Sequence, residues 1–157
     1  MIYAQHFSQE RKRGSKEGDM PAQIKYQKGY KYRLFKQVIV KIPVLLEDPA
    51  VTPFIKMSID GILTIKKDYS WDGCSGPTWD DKTNQRAGLI HDALYQLMRL
   101  GMIPQKNKDA ADRELQKIMI EDGAFKIRAW YFYQAVKTFG GRACSLGYDP
   151  YQVLTAP

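Results

Sequence analysis

The apolar side chains of this chain change their spacing once, from every second residue to every third or fourth, and that change limits the folds open to it. Over residues 26–44, Tyr30, Tyr32, Leu34, Val38, Val40 and Ile42 alternate with mostly polar neighbours, while Phe35 and Ile39 fall out of phase. A period of two puts successive side chains on opposite faces of a strand. From residue 84 onward Ala87, Leu89, Ile90, Leu94, Leu97, Met98 and Leu100 recur at the spacing of one helix face. Strands first and helices afterwards imply an α+β fold, with antiparallel β-hairpins on the N-terminal side packed on a C-terminal three-helix unit.

Punctuation marks divide the two regimes. The stretch 26–44 is long enough for two strands or one bent strand. EDPAVTP, residues 47–53, carries two prolines and two acids and reads as a loop. In FIKMSIDGILTIKKDY the Asp60-Gly61 pair lies between two alternating runs, where a tight hairpin turn needs positive φ angles. WDGCSGPTWDD, from Trp71 to Asp81, mixes glycine, proline and aspartate and reads as a structured loop. Helices are expected over 84–101, stopped by Gly101, over 108–122, and over 124–139, stopped by Gly140-Gly141. The third has an apolar AWYFYQAV centre and is expected as a core helix; the competing reading sets Trp130, Tyr131, Phe132 and Tyr133 at a membrane interface beside Lys126, Arg128 and Lys137.

Residues 1–22 are polar and basic without periodicity and are expected as a flexible arm, leaving 23–157 as one α+β domain, a usual size for 157 residues in all. The net charge of +7 favours anionic partners, and much of it lies before residue 40: Arg11, Lys12, Arg13, Lys16, Lys25, Lys28, Lys31, Arg33 and Lys36. No known nucleic-acid reader motif accompanies that charge, so nucleic acid is an unlikely partner. No apolar run approaches the roughly 18 residues of a membrane span, and the first residues lack a secretory h-region, so synthesis in a cytoplasm is expected. Cys74 and Cys144 are far apart and outside any CxxC spacing, so neither a disulfide framework nor a zinc module is indicated and both thiols are expected reduced.

Three polar side chains, His91, Asp92 and Tyr95, interrupt the otherwise apolar first helix. His91 and Tyr95, four residues apart, share a face, and Asp92 points about 100° away from His91. Polar groups on an apolar helix are either a satisfied core network or a site. Asp112 follows His91 by 21 positions, after Ala110 and Ala111, which permit close helix approach. It can accept from one imidazole nitrogen and leave the other as a base towards water. Asp92 points to the loop Asp72-Gly73-Cys74-Ser75-Gly76-Pro77, whose backbone carbonyls, with a carboxylate, suit a hard cation such as calcium.

HDALYQLMRLGMIPQKNKDAADRELQKI, with the glycine-bearing loop before it, resembles the helix pair of phospholipase A2, the viral capsid form above all, over about residues 70–120. The resemblance implies a calcium-dependent esterase with His91 as general base, Asp112 as its orienting partner, Tyr95 bonded to that aspartate, and Asp92, Gly73, Ser75 and Gly76 as metal ligands. The chain lacks the cysteine framework of the secreted phospholipases, and its loop reads DGCSGP. Residues 25–144 are also similar, in order, to phage and prophage proteins known as domain of unknown function 1353, through DGCSGP, HDALY, AAD and AWYFYQAVKTFGG. That similarity implies a phage origin, a place in the host cytoplasm or the virion and tail, and partners among phage structural proteins or phospholipid surfaces. It leaves open a non-catalytic structural or assembly protein docking through its basic arm. A serine nucleophile at Ser75, or a thiol at Cys74 served by His91, is a weaker alternative.

Overall fold

A computed structural model of the protein describes residues 26–28, 32–73 and 80–148. The arm expected over 1–22, Tyr30, Cys74, Ser75 and Gly76 lie outside the described residues.

Among the described residues, seven short strands form two antiparallel sheets. In the first, β1 (Tyr26–Lys28), β2 (Tyr32–Leu34) and β7 (Ser70–Trp71) lie in the order β1-β2-β7. The second orders β3 (Val38–Lys41), β6 (Ile62–Ile65), β5 (Ile55–Met57) and β4 (Ala50–Val51) as β3-β6-β5-β4. Alternation decides which side chains enter the core: Tyr32, Leu34, Val38 and Ile42 are buried, while Phe35 and Ile39, the two out of phase, are exposed. Val40 is only half buried, at the margin of the core.

The hairpin between β5 and β6 is present, with Met57 opposite Leu63. Its connection is wider than a two-residue turn: the Gly61 N–H donates to Ser58 O at 3.0 Å, and Gly61 at φ +84° is the residue there with positive φ, not Asp60. Glycine is required at 61 for a second reason. A Cβ there would collide with the carbonyl oxygens of Ile42 and Val44.

The expected loop over 47–53 needs correction, because β4 lies within it and pairs with β5, Ala50 opposite Met57. Pro53 does not prevent this pairing. It occupies the second position of the turn Thr52 to Ile55, where no donor is needed, while Thr52 N–H donates to Ile55 O at 2.7 Å and the Ile55 N–H donates to Thr52 Oγ1 at 2.8 Å.

Among the described residues, three α-helices follow the strands: α1 (Gln85–Arg99), α2 (Lys108–Glu121) and α3 (Lys126–Phe139). Gly101, at φ +69°, ends α1 by donating to Met98 O at 3.0 Å while Met102 N–H reaches Leu97 O at 2.9 Å, the two-bond closure that glycine favours after a helix. α2 packs on both α1 and α3. The buried Arg86 guanidinium at the start of α1 clasps the end of α2, donating to Asp122 Oδ1 at 2.8 Å, Asp122 Oδ2 at 3.0 Å and Glu121 Oε2 at 2.9 Å. Buried side chains from both sheets and all three helices, among them Leu34, Ile55, Trp71, Leu94, Leu115 and Phe132, join in one core.

α3 departs from the expected core helix. Only Ala129, Phe132 and Tyr133 are buried along it, while Ile127, Trp130, Tyr131 and Phe139 are exposed. α2 packs on α3 along its buried side, and Phe125, Ile127, Trp130 and Tyr131 remain open to solvent. Among the described residues no helix is long and apolar enough to cross a membrane.

Candidate functional site

The helical repeat sets His91 and Tyr95 one above the other on α1, with ring centroids 3.9 Å apart, and the packing of α2 brings Asp112 beneath both. His91 Nε2 lies 3.0 Å from Asp112 Oδ1, and the Tyr95 hydroxyl donates to the same oxygen at 2.7 Å. Asp112 is entirely shielded from solvent, and Ala111 beside it is buried in the α1–α2 contact. The expected trio is therefore assembled, across 21 residues of sequence.

A fourth member joins it. Lys108, one turn before Asp112 on α2, donates to Asp112 Oδ2 at 2.7 Å and to the Val136 carbonyl near the end of α3 at 3.0 Å. Asp112 thus accepts from three donors, which is why a carboxylate can stay inside the protein. Burial alone would raise its pKa, but bonds from His91, Lys108 and Tyr95 outweigh it and hold Asp112 below the usual carboxylate range. Burial and the adjacent Asp112 charge push the Tyr95 phenol well above its ordinary value, so it remains a donor. Gly140, just beyond α3, leaves room for that phenol: a Cβ at this position would collide with the Tyr95 hydroxyl.

These bonds define the histidine. An ionised carboxylate only accepts, so Nε2 carries the proton it shares with Asp112, and in the neutral ring the lone pair is on Nδ1. Nδ1 lies 3.9 Å from Asp92 Oδ1, outside hydrogen-bond reach. Burial acts to lower the His91 value, but Asp112 and Asp92 more than offset it, and the net displacement is upward. Asp112 thereby orients the ring and stabilises the imidazolium form.

Asp92 sits on the Nδ1 side, with 32% of its side chain exposed. Its carboxyl is raised, chiefly by desolvation and further by the charge of Asp72, against the opposing pull of His91 and Arg99. Asp72 closes β7's strand end and leads into Gly73, whose φ of +76° suits glycine and whose missing Cβ leaves space for the Asp80 carboxylate and the Tyr32 ring. The segment before α1 is fastened to α3: Arg128 pairs with Asp81 and donates to Thr83 Oγ1 at 3.0 Å, while Asp81 Oδ1 accepts from the Thr83 N–H at 2.8 Å.

Asp92 offers carboxylate oxygens on the open side of the imidazole, a donor type that suits a hard cation better than a soft one. Among the described residues no group of three or more His, Cys, Asp or Glu side chains gathers around a common point. Of the expected ligands, Gly73 and Asp92 are described, and Ser75 and Gly76 lie outside the described residues, as does Cys74. Cys144 is buried and free, with its thiol pushed up by burial.

Sequence reasoning missed Lys108 and Gly140. The i, i+4 spacing of Lys108 and Asp112 was a visible signal for the first; nothing local marked Gly140 as the residue beneath Tyr95. Compared with protein-family models, curated proteins and solved structures, the chain matches none of them.

Proposed function

We propose that this protein, encoded by a phage or prophage, hydrolyses the carboxylic esters of phospholipids, with His91 as general base. The observation that carries this reading is the asymmetry of the imidazole: Nε2 is held by Asp112 at 3.0 Å, while Nδ1 faces Asp92 at 3.9 Å and has no hydrogen-bond partner among the described residues. A histidine bonded through both nitrogens could brace a core but could not accept a proton from water.

In this reading His91 Nδ1 removes a proton from water as the water oxygen bonds to the ester carbonyl carbon. The same proton passes to the departing alcohol as the acyl–oxygen bond breaks, so the products are a fatty acid and a lysophospholipid. Asp112, with Tyr95 and Lys108 fixing its position, orients the ring and stabilises the imidazolium. Asp92, together with carbonyl oxygens of Gly73, Ser75 and Gly76, would hold a calcium ion, which would supply polarisation of the ester carbonyl.

The test is fatty-acid release from mixed phospholipid micelles in calcium and in EDTA. We expect release in calcium alone, and none from His91→Gln assayed well below that variant's own melting temperature. Calcium should also raise the melting temperature by mass action, and Asp92→Asn should remove that rise. Absence of release by the wild-type protein, or its persistence in His91→Gln, would overturn the assignment.

One observation favours a second reading. Lys108 connects Asp112 on α2 to the last carbonyls of α3, so the network ties all three helices together. A non-catalytic virion or tail protein could keep it for fold specificity and dock on its partner through the basic arm. That reading expects no calcium shift, and expects deletion of residues 1–22 to abolish partner binding.

A further inference from the structure

The first turns of α3 present large apolar side chains to solvent: Phe125 is 81% exposed, Ile127 78%, Trp130 53% and Tyr131 41%. Helical spacing sets Ile127, Trp130 and Tyr131 on a common side, and Phe125 immediately precedes the helix. Removing such side chains from water is favourable, and a contiguous exposed group of this kind marks a protein or membrane contact. We propose that this end of α3 is a docking surface for an anionic phospholipid bilayer.

Three observations select a bilayer over a second protein chain. The first is composition: tryptophan and tyrosine are the side chains that settle at the headgroup level, and phenylalanine and isoleucine can pass below it. The second is charge. Lys126 is exposed within the group, Lys137 is exposed further along the helix, and the whole chain carries +7, which complements an anionic leaflet. The acids at the neighbouring turn, Glu121 and Asp122, are clasped by Arg86, and Asp81 is paired with Arg128, so their charge is partly answered within the protein. The third is size. A stable protein interface takes about 800 Å² and roughly 20–30 residues from each partner, more than these few side chains of one helix end supply, whereas insertion into a bilayer needs only a few anchors backed by charge.

This surface, which rests on the phospholipid-ester reading, would bring that substrate to the chain. Binding can be measured without turnover, on vesicles of diether phospholipids, which contain no ester to cleave, in EDTA. We expect the full chain to sediment with diether phosphatidylglycerol vesicles and far less with diether phosphatidylcholine, and its tryptophan emission to shift to the blue. The shift should vanish in Trp130→Phe. The charge-neutral double variant Ile127→Gln/Trp130→Ala should lower the partition coefficient about tenfold or more at an unchanged melting temperature. Failure to bind phosphatidylglycerol vesicles, equal binding to both lipids, or undiminished binding by the double variant would overturn the proposal; the last outcome would assign binding to basic residues elsewhere. So would self-association of the wild-type chain that the double variant abolishes, with no vesicle binding, since that gives the face to a second copy. Vesicle binding without fatty-acid release would leave the docking surface standing and remove the esterase reading alone.

Discussion

Lys108 stands one helical turn before Asp112 and donates to its Oδ2 at 2.7 Å, while His91 and Tyr95 share Oδ1. Both oxygens of one buried carboxylate are thereby used, from two helices, and the lysine continues to the carbonyls that end the third. The arrangement places a charge where its loss leaves several groups unsatisfied at once.

Asp112→Ala should therefore destabilise the protein by about 3–5 kcal/mol, the usual loss when one member of a buried charged network is removed. Lys108 is partly exposed and Asp112 keeps two other donors without it, so Lys108→Met should lose less, about 1–3 kcal/mol. Urea denaturation of the two variants gives the comparison. An Asp112→Ala loss smaller than that of Lys108→Met would contradict the network as described.

The pH dependence has a definite sign. His91 is raised above its ordinary 6.5, so its contribution is present in full below 6.5 and is lost as pH rises through the folded-state value. Asp112 is lowered from 3.8, so its contribution is present above 3.8 and is lost as pH falls through the folded-state value. Together they favour the folded state most between 3.8 and 6.5. Asp92, also raised, contributes below 3.8 and loses that contribution as pH rises through its own folded value. Melting temperature at constant ionic strength in EDTA should fall from about pH 6 to about pH 9, and His91→Gln should flatten the fall. Hydrolysis should move the opposite way over the same limb, because a general base acts only when deprotonated.

Gly140→Ala tests the room beneath Tyr95. The added methyl meets the phenol oxygen and the Val136 carbonyl, so either the phenol leaves Asp112 or the end of α3 shifts. Overpacking of this kind costs about 1–3 kcal/mol. Tyr95→Phe/Gly140→Ala should lose less than the sum of the two single changes, and strict additivity in calorimetry would show that the two positions do not share this space.

At Gly61 an alanine meets a backbone penalty of about 1–2 kcal/mol for positive φ and, in addition, collisions with two carbonyls of the segment after β3. Gly123→Ala is the control: φ there is +94° and a Cβ meets nothing within 4 Å. The excess loss at Gly61 over Gly123, read from urea midpoints, isolates the collision.

Much of this could be read without coordinates, for a physical reason. Periodicity is a property of the local backbone, so the strand and helix regimes, the Gly101 stop, and the shared faces of His91 with Tyr95 and of Lys108 with Asp112 were all present in the residue spacing. Most contact across the chain was not. The meeting of Asp112 with His91 was expected from the two alanines before Asp112 and from the phospholipase A2 resemblance, but that Gly140 lies under Tyr95, and that β4 pairs within a proline-bearing stretch, depend on how elements pack, and a residue's type does not state which neighbour will cover it. α3 shows the difference most clearly: its apolar sequence alone gave equal reason to bury every side, and only the packing of α2 against one of them determined that Ile127 and Trp130 would face outward.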